Sequence, residues 1–104
     1  MKKIFYVYLL FFFCIACATV NTLQPGQADL SKARERVPGI SITELNSGYK
    51  LYVMKCSGCH QLHYPNEFDS IQWKNKLSEM FLRAKIADEN EQKLIREYLF
   101  AKAK

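Results

Sequence analysis

From residue 41 onward, apolar residues return three or four positions apart in three separate stretches, the spacing of one helix face. In the first, Leu45, Tyr49, Tyr52 and Val53 share one side of a helix that Ser41 or Thr43 can cap and that runs into 56-CSGCH-60. The second places Ile71, Trp73, Leu77, Met80, Phe81 and Ala84 behind a cap at Asp69 or Ser70. The third carries Leu94, Ile95, Tyr98 and Leu99 behind Asp88, with Glu91 three residues after it in the order of a capping box. His63-Tyr64-Pro65-Asn66 reads as the loop between the first two. Strand-type alternation is absent, so the expected class is all-α with three main short helices. Gly48 lies inside the first helix, where glycine costs about 1 kcal/mol relative to alanine. Its presence predicts that a second helix crosses closely at that point.

The pattern upstream is different. From Ala18 to Gly39 the chain is polar and is broken by Pro25-Gly26 and Pro38-Gly39. It reads as a flexible tether of about 20 residues, spanning on the order of 25 Å. Asp29–Arg36 could form a short exposed helix within it. Before the tether, Met1-Lys2-Lys3 leads into an uncharged run from Ile4 to Val20. A basic start and a short apolar block are the parts of an export signal. A retained anchor is the alternative, although about 20 predominantly apolar residues are wanted for a span. The segment 14-CIAC-17 resembles a bacterial lipobox, with Ile15 and Ala16 fitting the positions before a lipidated Cys17 and Cys14 standing where leucine is usual. The organisation expected is therefore a signal peptide over 1–16, a lipidated N-terminus and tether over 17–40, and a compact domain over 41–104. That address is the periplasmic side of a bacterial membrane.

Composition narrows the choices. The 104 residues carry 15 basic and 10 acidic side chains, a formal charge of +5. Lys2 and Lys3 would leave with the signal, and the remaining excess is too mild and too scattered for nucleic acid. Beyond Cys14 and Cys17, the two remaining cysteines both lie in one local motif, which is not the framework of a disulfide-rich miniprotein. Three short helices also make a poor core, and domains of this size usually need a metal, a disulfide or a cofactor as a staple.

The motif Cys56-Ser57-Gly58-Cys59-His60 has three chemical readings. A zinc site of Cys56, Cys59, His60 and His63 would crowd all four ligands into eight residues, whereas structural zinc sites draw pairs from separated segments. A thiol–disulfide oxidoreductase wants its cysteine pair at a helix N-terminus beside a βαβ unit, and here the pair follows a helix. The third reading uses every residue: Cys-x-x-Cys-His is the signature of covalent c-type haem attachment. Both thiols join the haem vinyl groups, His60 follows at the position that reaches the iron, and the small Ser57 and Gly58 let the loop close tightly. An export signal agrees, since bacterial haem attachment of this kind takes place outside the cytoplasm.

With that motif, residues Thr43 to Phe100 resemble a small monohaem class I cytochrome c. The likeness consists of a first helix with Gly48 and the aromatic Tyr52, the Cys56–His60 motif, a loop with Pro65, a late methionine and a last helix with Tyr98-Leu99. The Trp73…Met80 helix is similar to haem domains of bacterial dehydrogenase-associated cytochromes. His63-Tyr64 departs from the pattern, where relatives often carry Leu-Pro. The resemblance implies a cytochrome c-like fold around one covalently attached haem c, with the first and last helices crossing at Gly48 and Tyr98.

Met80 is the expected distal ligand, 20 residues after His60. Met54 is tethered too near the attachment edge, His63 too near His60, and Met1 leaves with the signal. Against this stands plain packing, because Leu77, Met80, Phe81 and Ala84 form one helical stripe. Both readings of Met80 stay open on the sequence. His63 reads as an exposed loop residue or a propionate partner, and Trp73 and Tyr49 as pocket lining or helix contacts. Lys50, Lys55, Lys74, Lys76 and Lys85 form either a basic rim for an acidic partner or an ordinary solubilising surface.

His60 and Met80 together would leave the iron without an open position, a site that moves one electron and does no substrate chemistry. The function expected is electron transfer between a redox donor and acceptor, by a non-enzymatic, membrane-tethered monomer or subunit of a redox complex. Two alternatives remain: a five-coordinate haem protein binding small gases, and a fixed haem subunit of a larger dehydrogenase or oxidase.

Overall fold

In the computed structural model, residues 23–58 and 60–104 are described. The expected export signal, Cys14, Cys17 and Cys59 lie outside them. Four α-helices form: α1 over Gln27–Arg36, α2 over Ile42–Cys56, α3 over Ser70–Arg83 and α4 over Glu89–Lys102, with a 3-10 turn at Pro65–Glu67. No strand occurs among the described residues, so the class is all-α.

Each helix of the compact part starts where a short polar side chain can take up otherwise unpaired backbone N–H groups. Ser41 Oγ accepts from Glu44 N–H at 3.2 Å. Asp69 Oδ1 accepts from Gln72 N–H at 2.8 Å, while Gln72 Oε1 accepts from Asp69 N–H at 3.0 Å, a closed capping box. Asp88 Oδ1 accepts from Asn90 and Glu91 N–H at 2.8 and 3.0 Å. The end of α3 is a Schellman turn. Lys85 adopts φ 57°, and Ile86 N–H donates to Phe81 O at 2.9 Å.

Two adjoining apolar clusters make the core. The larger joins α2, α3 and α4 through Tyr52, Cys56, Trp73, Leu77, Phe81, Ile86, Ile95, Tyr98 and Leu99. The helices α2 and α4 cross at Gly48. A β-carbon there would stand 2.1 Å from Leu94 O and 2.8 Å from Tyr98 Cβ, so glycine alone permits the approach. One expected core position differs: Ile71 is 72% exposed, because its place on α3 points away from α2 and α4.

The smaller cluster corrects the expected tether. Leu30, Ala33 and Ile40 are buried against Leu45 and Ala101, so residues 27–40 belong to the folded unit and α1 is no exposed helix. Polar contacts add to this burial. Asp29 Oδ2 accepts from Gly26 N–H at 2.7 Å and pairs with Lys102 Nζ at 3.1 Å. Lys32 Nζ donates to Ala103 O at 2.6 Å, and Tyr98 O–H donates to Leu23 O. The stretch has few apolar anchors, Leu30, Ala33, Val37 and Ile40, and one of their partners, Ala101, lies near the far end of the chain, so no local pattern announces the packing.

Candidate functional site

The C-terminal end of α2 delivers Cys56, which is buried and is the last residue of the helix. A thiol placed there meets the carbonyl end of the helix, where negative charge is disfavoured. This is the reverse of the N-terminal placement that activates redox thiols.

His60 follows at a bend after the helix and is exposed. Its Nδ1 lies 2.7 Å from Gln61 O. A carbonyl can only accept, so Nδ1 is the donor in this contact, and in the neutral ring that tautomer places the lone pair on Nε2. On one side the ring lies against His63, with centroids 5.6 Å apart. His63 Nδ1 meets Glu67 Oε2 at 2.9 Å, and Tyr64 N–H donates to Glu67 Oε1 at 3.2 Å. The His63 hydrogen bond first, and the Tyr64 N–H after it, hold the Glu67 carboxyl below its ordinary range. His63 is thus half-exposed and paired. Glu67 was not among the expected site residues, although His63 and Glu67 stand four apart in the sequence.

Met80 comes from α3 and is half-buried. Leu77 and Phe81 sit in the main core cluster and Ala84 packs against it, whereas Met80 is absent from both clusters. Instead it lines a cleft of about 470 Å³ together with Lys55, Cys56, His60, Glu79, Arg83 and Ala84. Three of the four expected site residues therefore share one cleft between the end of α2 and the flank of α3. Met54 points outward and is 71% exposed. The volume lies within the range of small-molecule and cofactor sites. Arg83 Nη2 and Glu79 Oε1 pair at 2.5 Å on its rim.

Behind the cleft the aromatic side chains form a rigid backing. Trp73 is fully buried, and its indole N–H donates to Pro65 O at 2.7 Å. Tyr52 O–H donates to His63 O at 2.6 Å, which ties the loop carrying His60 and His63 to α2. Burial pushes the Tyr52 and Tyr98 hydroxyls far above their usual range, so both stay neutral donors. Tyr49 packs on Tyr98 at 5.6 Å. Tyr49 and Trp73 are helix and loop contacts and do not line the cleft. Of the five lysines considered as a rim, only Lys55 lines it. Lys76 sits 4.3 Å over the Phe68 ring, and Lys74 and Lys85 line a separate trough.

Among the described residues no group of three or more His, Cys, Asp or Glu side chains is placed to hold a metal ion by itself. His60 and Met80 both line the cleft and offer an imidazole nitrogen and a thioether sulfur, donor types that haem iron accepts. Cys56 adds one of the two thiols of the attachment motif. No protein-family model, curated protein or solved structure matches the chain. No described helix is long and apolar enough to cross a membrane.

Proposed function

We propose that this chain is a monohaem c-type cytochrome that carries single electrons at the periplasmic side of a bacterial membrane. The observation that supports it best is the sharing of one cleft by Cys56, His60 and Met80. On this reading Cys56 and Cys59 would hold haem c covalently, and His60 nitrogen and Met80 sulfur would ligate its iron. Haem iron with histidine and methionine ligands cycles between ferrous and ferric states, and such ligation raises its potential.

The chain's own residues have distinct tasks. Gln61 O fixes the tautomer of His60. The Tyr52 hydroxyl, through His63 O, holds the loop that carries His60. Lys55, in no ion pair among the described residues, brings a positive charge to the cleft, which would suit a haem propionate, while Arg83 is neutralised by Glu79 beside it. A lipid on Cys17, or an uncleaved N-terminal anchor, would keep the carrier at the membrane, where its donor and acceptor are redox proteins. Because residues 27–40 pack onto α4, the free leash would be shorter than the sequence suggests.

Visible spectra of the purified full-length protein, oxidised and reduced, test this reading alongside Met80→Ala. The expected result is a covalent c-type spectrum with a weak red sulfur–iron band that Met80→Ala abolishes. A c-type spectrum without that band, with ready carbon monoxide binding by the reduced protein, would support gas binding instead. Absence of covalent haem would sink the proposal.

A further inference from the structure

A second depression lies on the other flank of α3. It is a trough of about 730 Å³ between α3 and α4 and shares no lining residue with the cleft. Lys74, Ser78, Leu82 and Lys85 line it as one stripe of α3 and the turn after it. Phe81, Ile86 and Phe100 supply an apolar floor. The floor is anchored: Gln92 Nε2 donates to Ile86 O at 2.7 Å, locking the α3–α4 turn onto α4.

Two features set this surface apart. Lys74, Lys85 and Arg96 stand around the floor, and no aspartate or glutamate lines the trough. Among the described residues the ion pairs involve Arg36, His63, Arg83 and Lys102, and none of these three trough cations; Glu89 lines an adjoining depression with Arg96 but not the trough. Leu82 is also 80% exposed, more than any other large apolar side chain of the described residues.

We propose that this trough is a holding site for an acidic amphipathic helix of a partner protein. Three cations without a close ion pair around an apolar floor call for an occupant with an apolar ridge and carboxylates on either side. Shape chooses among anionic occupants. A bilayer surface is flat and would meet a convex patch, whereas this surface is concave. A helix laid along it inserts apolar side chains at i, i+3, i+4 and i+7 and leaves its acids at the rim. The consequence bears on organisation: a partner held here leaves the cleft on the opposite flank uncovered. The chain could then be a docked subunit and still exchange electrons through the cleft. That consequence rests on the haem reading, but the trough and its test do not.

The test uses the purified full-length protein and a fluorescently labelled probe helix of about 18 residues, with leucines at the four anchor spacings and glutamates elsewhere. A scrambled acidic peptide and a version with lysine for glutamate serve as controls, and phosphatidylglycerol vesicles form a separate arm. The expected result is binding of the acidic helix alone, weakened by salt. Leu82→Glu and the double variant Lys74→Glu with Arg96→Glu should each reduce affinity by about tenfold or more. All these positions are on the surface, and unchanged helical circular dichroism would show that the variants fold. Equal binding to the variants, or to the scrambled peptide, would overturn the proposal. So would Leu82-dependent binding to vesicles with none to the helix. Covalent haem is read separately from the visible spectrum, so either proposal can fail without the other.

Discussion

The Leu94 carbonyl stands 2.1 Å from the place a β-carbon on Gly48 would occupy, closer than any real contact. The atom in the way is backbone in the middle of α4, so it cannot swing aside as a side-chain end would. Gly48→Ala must therefore push α2 and α4 apart along their whole crossing, which also carries the Tyr49–Tyr98 and Tyr52–Tyr98 ring contacts. A loss of about 3 kcal/mol or more is expected, despite about 1 kcal/mol gained in helix propensity. Urea unfolding measures it, as a lower midpoint with little change in slope.

Trp73 shows what a buried polar handle does for the loop before the cleft. Its indole N–H is the partner of Pro65 O, and both residues are buried. Trp73→Phe keeps most of the ring but leaves that carbonyl unpaired, at a cost of about 1–3 kcal/mol. If haem is bound, the spectrum of this variant should keep its form while thermal unfolding moves to lower temperature.

The packing of α1 predicts a protection pattern. With Leu30 and Ala33 buried and Lys32 bonded to Ala103 O, residues 27–40 should resist limited proteolysis until the whole domain opens. Leu30→Ala should cost about 2–5 kcal/mol and make this stretch the first site of cleavage. Early cleavage in the unmodified protein would contradict the packing.

Acid should loosen the loop at His63. The Glu67 carboxyl lies below its ordinary range in the folded chain, so the unfolded state binds its proton more readily. The stability from this pair is present above the ordinary carboxylate range, at about pH 4, and is lost as pH falls through the lower folded value. Glu67→Gln should flatten that part of the acid limb of stability against pH by removing the same small stabilisation at neutral pH, small because the pair is exposed.

Lys85 occupies a left-handed position, φ 57°, that glycine adopts without cost. Lys85→Gly should raise stability by about 0.5–1 kcal/mol net of the entropy glycine adds to the unfolded chain. Chemical denaturation would register it as a higher midpoint. Because Lys85 also lines the trough, the variant should weaken the acidic probe helix modestly as well.

Much of the helical frame could be read from local signals. Ser41, Asp69 and Asp88 act as caps within one turn of themselves, and Trp73, Leu77, Ile95, Tyr98 and Leu99 fall on faces set by the 3.6-residue repeat. Gly48 was legible for a related reason, since a costly residue in a helix interior needs a close neighbour to explain it. Ile71 misled because an apolar residue beside a stripe is indistinguishable from a member of it until the neighbouring helices are in place. The sequence alone also left two readings of Met80 standing, as ligand or as core.

Tertiary structure decided which surfaces face one another. Met80 turns to the cleft while its neighbours Leu77 and Phe81 enter the core, because α3 is held between two depressions and not against one flat layer. The fate of residues 27–40 depended on partners such as Ala103, 71 positions away from Lys32. Caps, turns and helix periodicity are decided within a few residues, so sequence by itself determined them. Clefts, troughs and the docking of α1 come from side chains that meet only after the helices have packed.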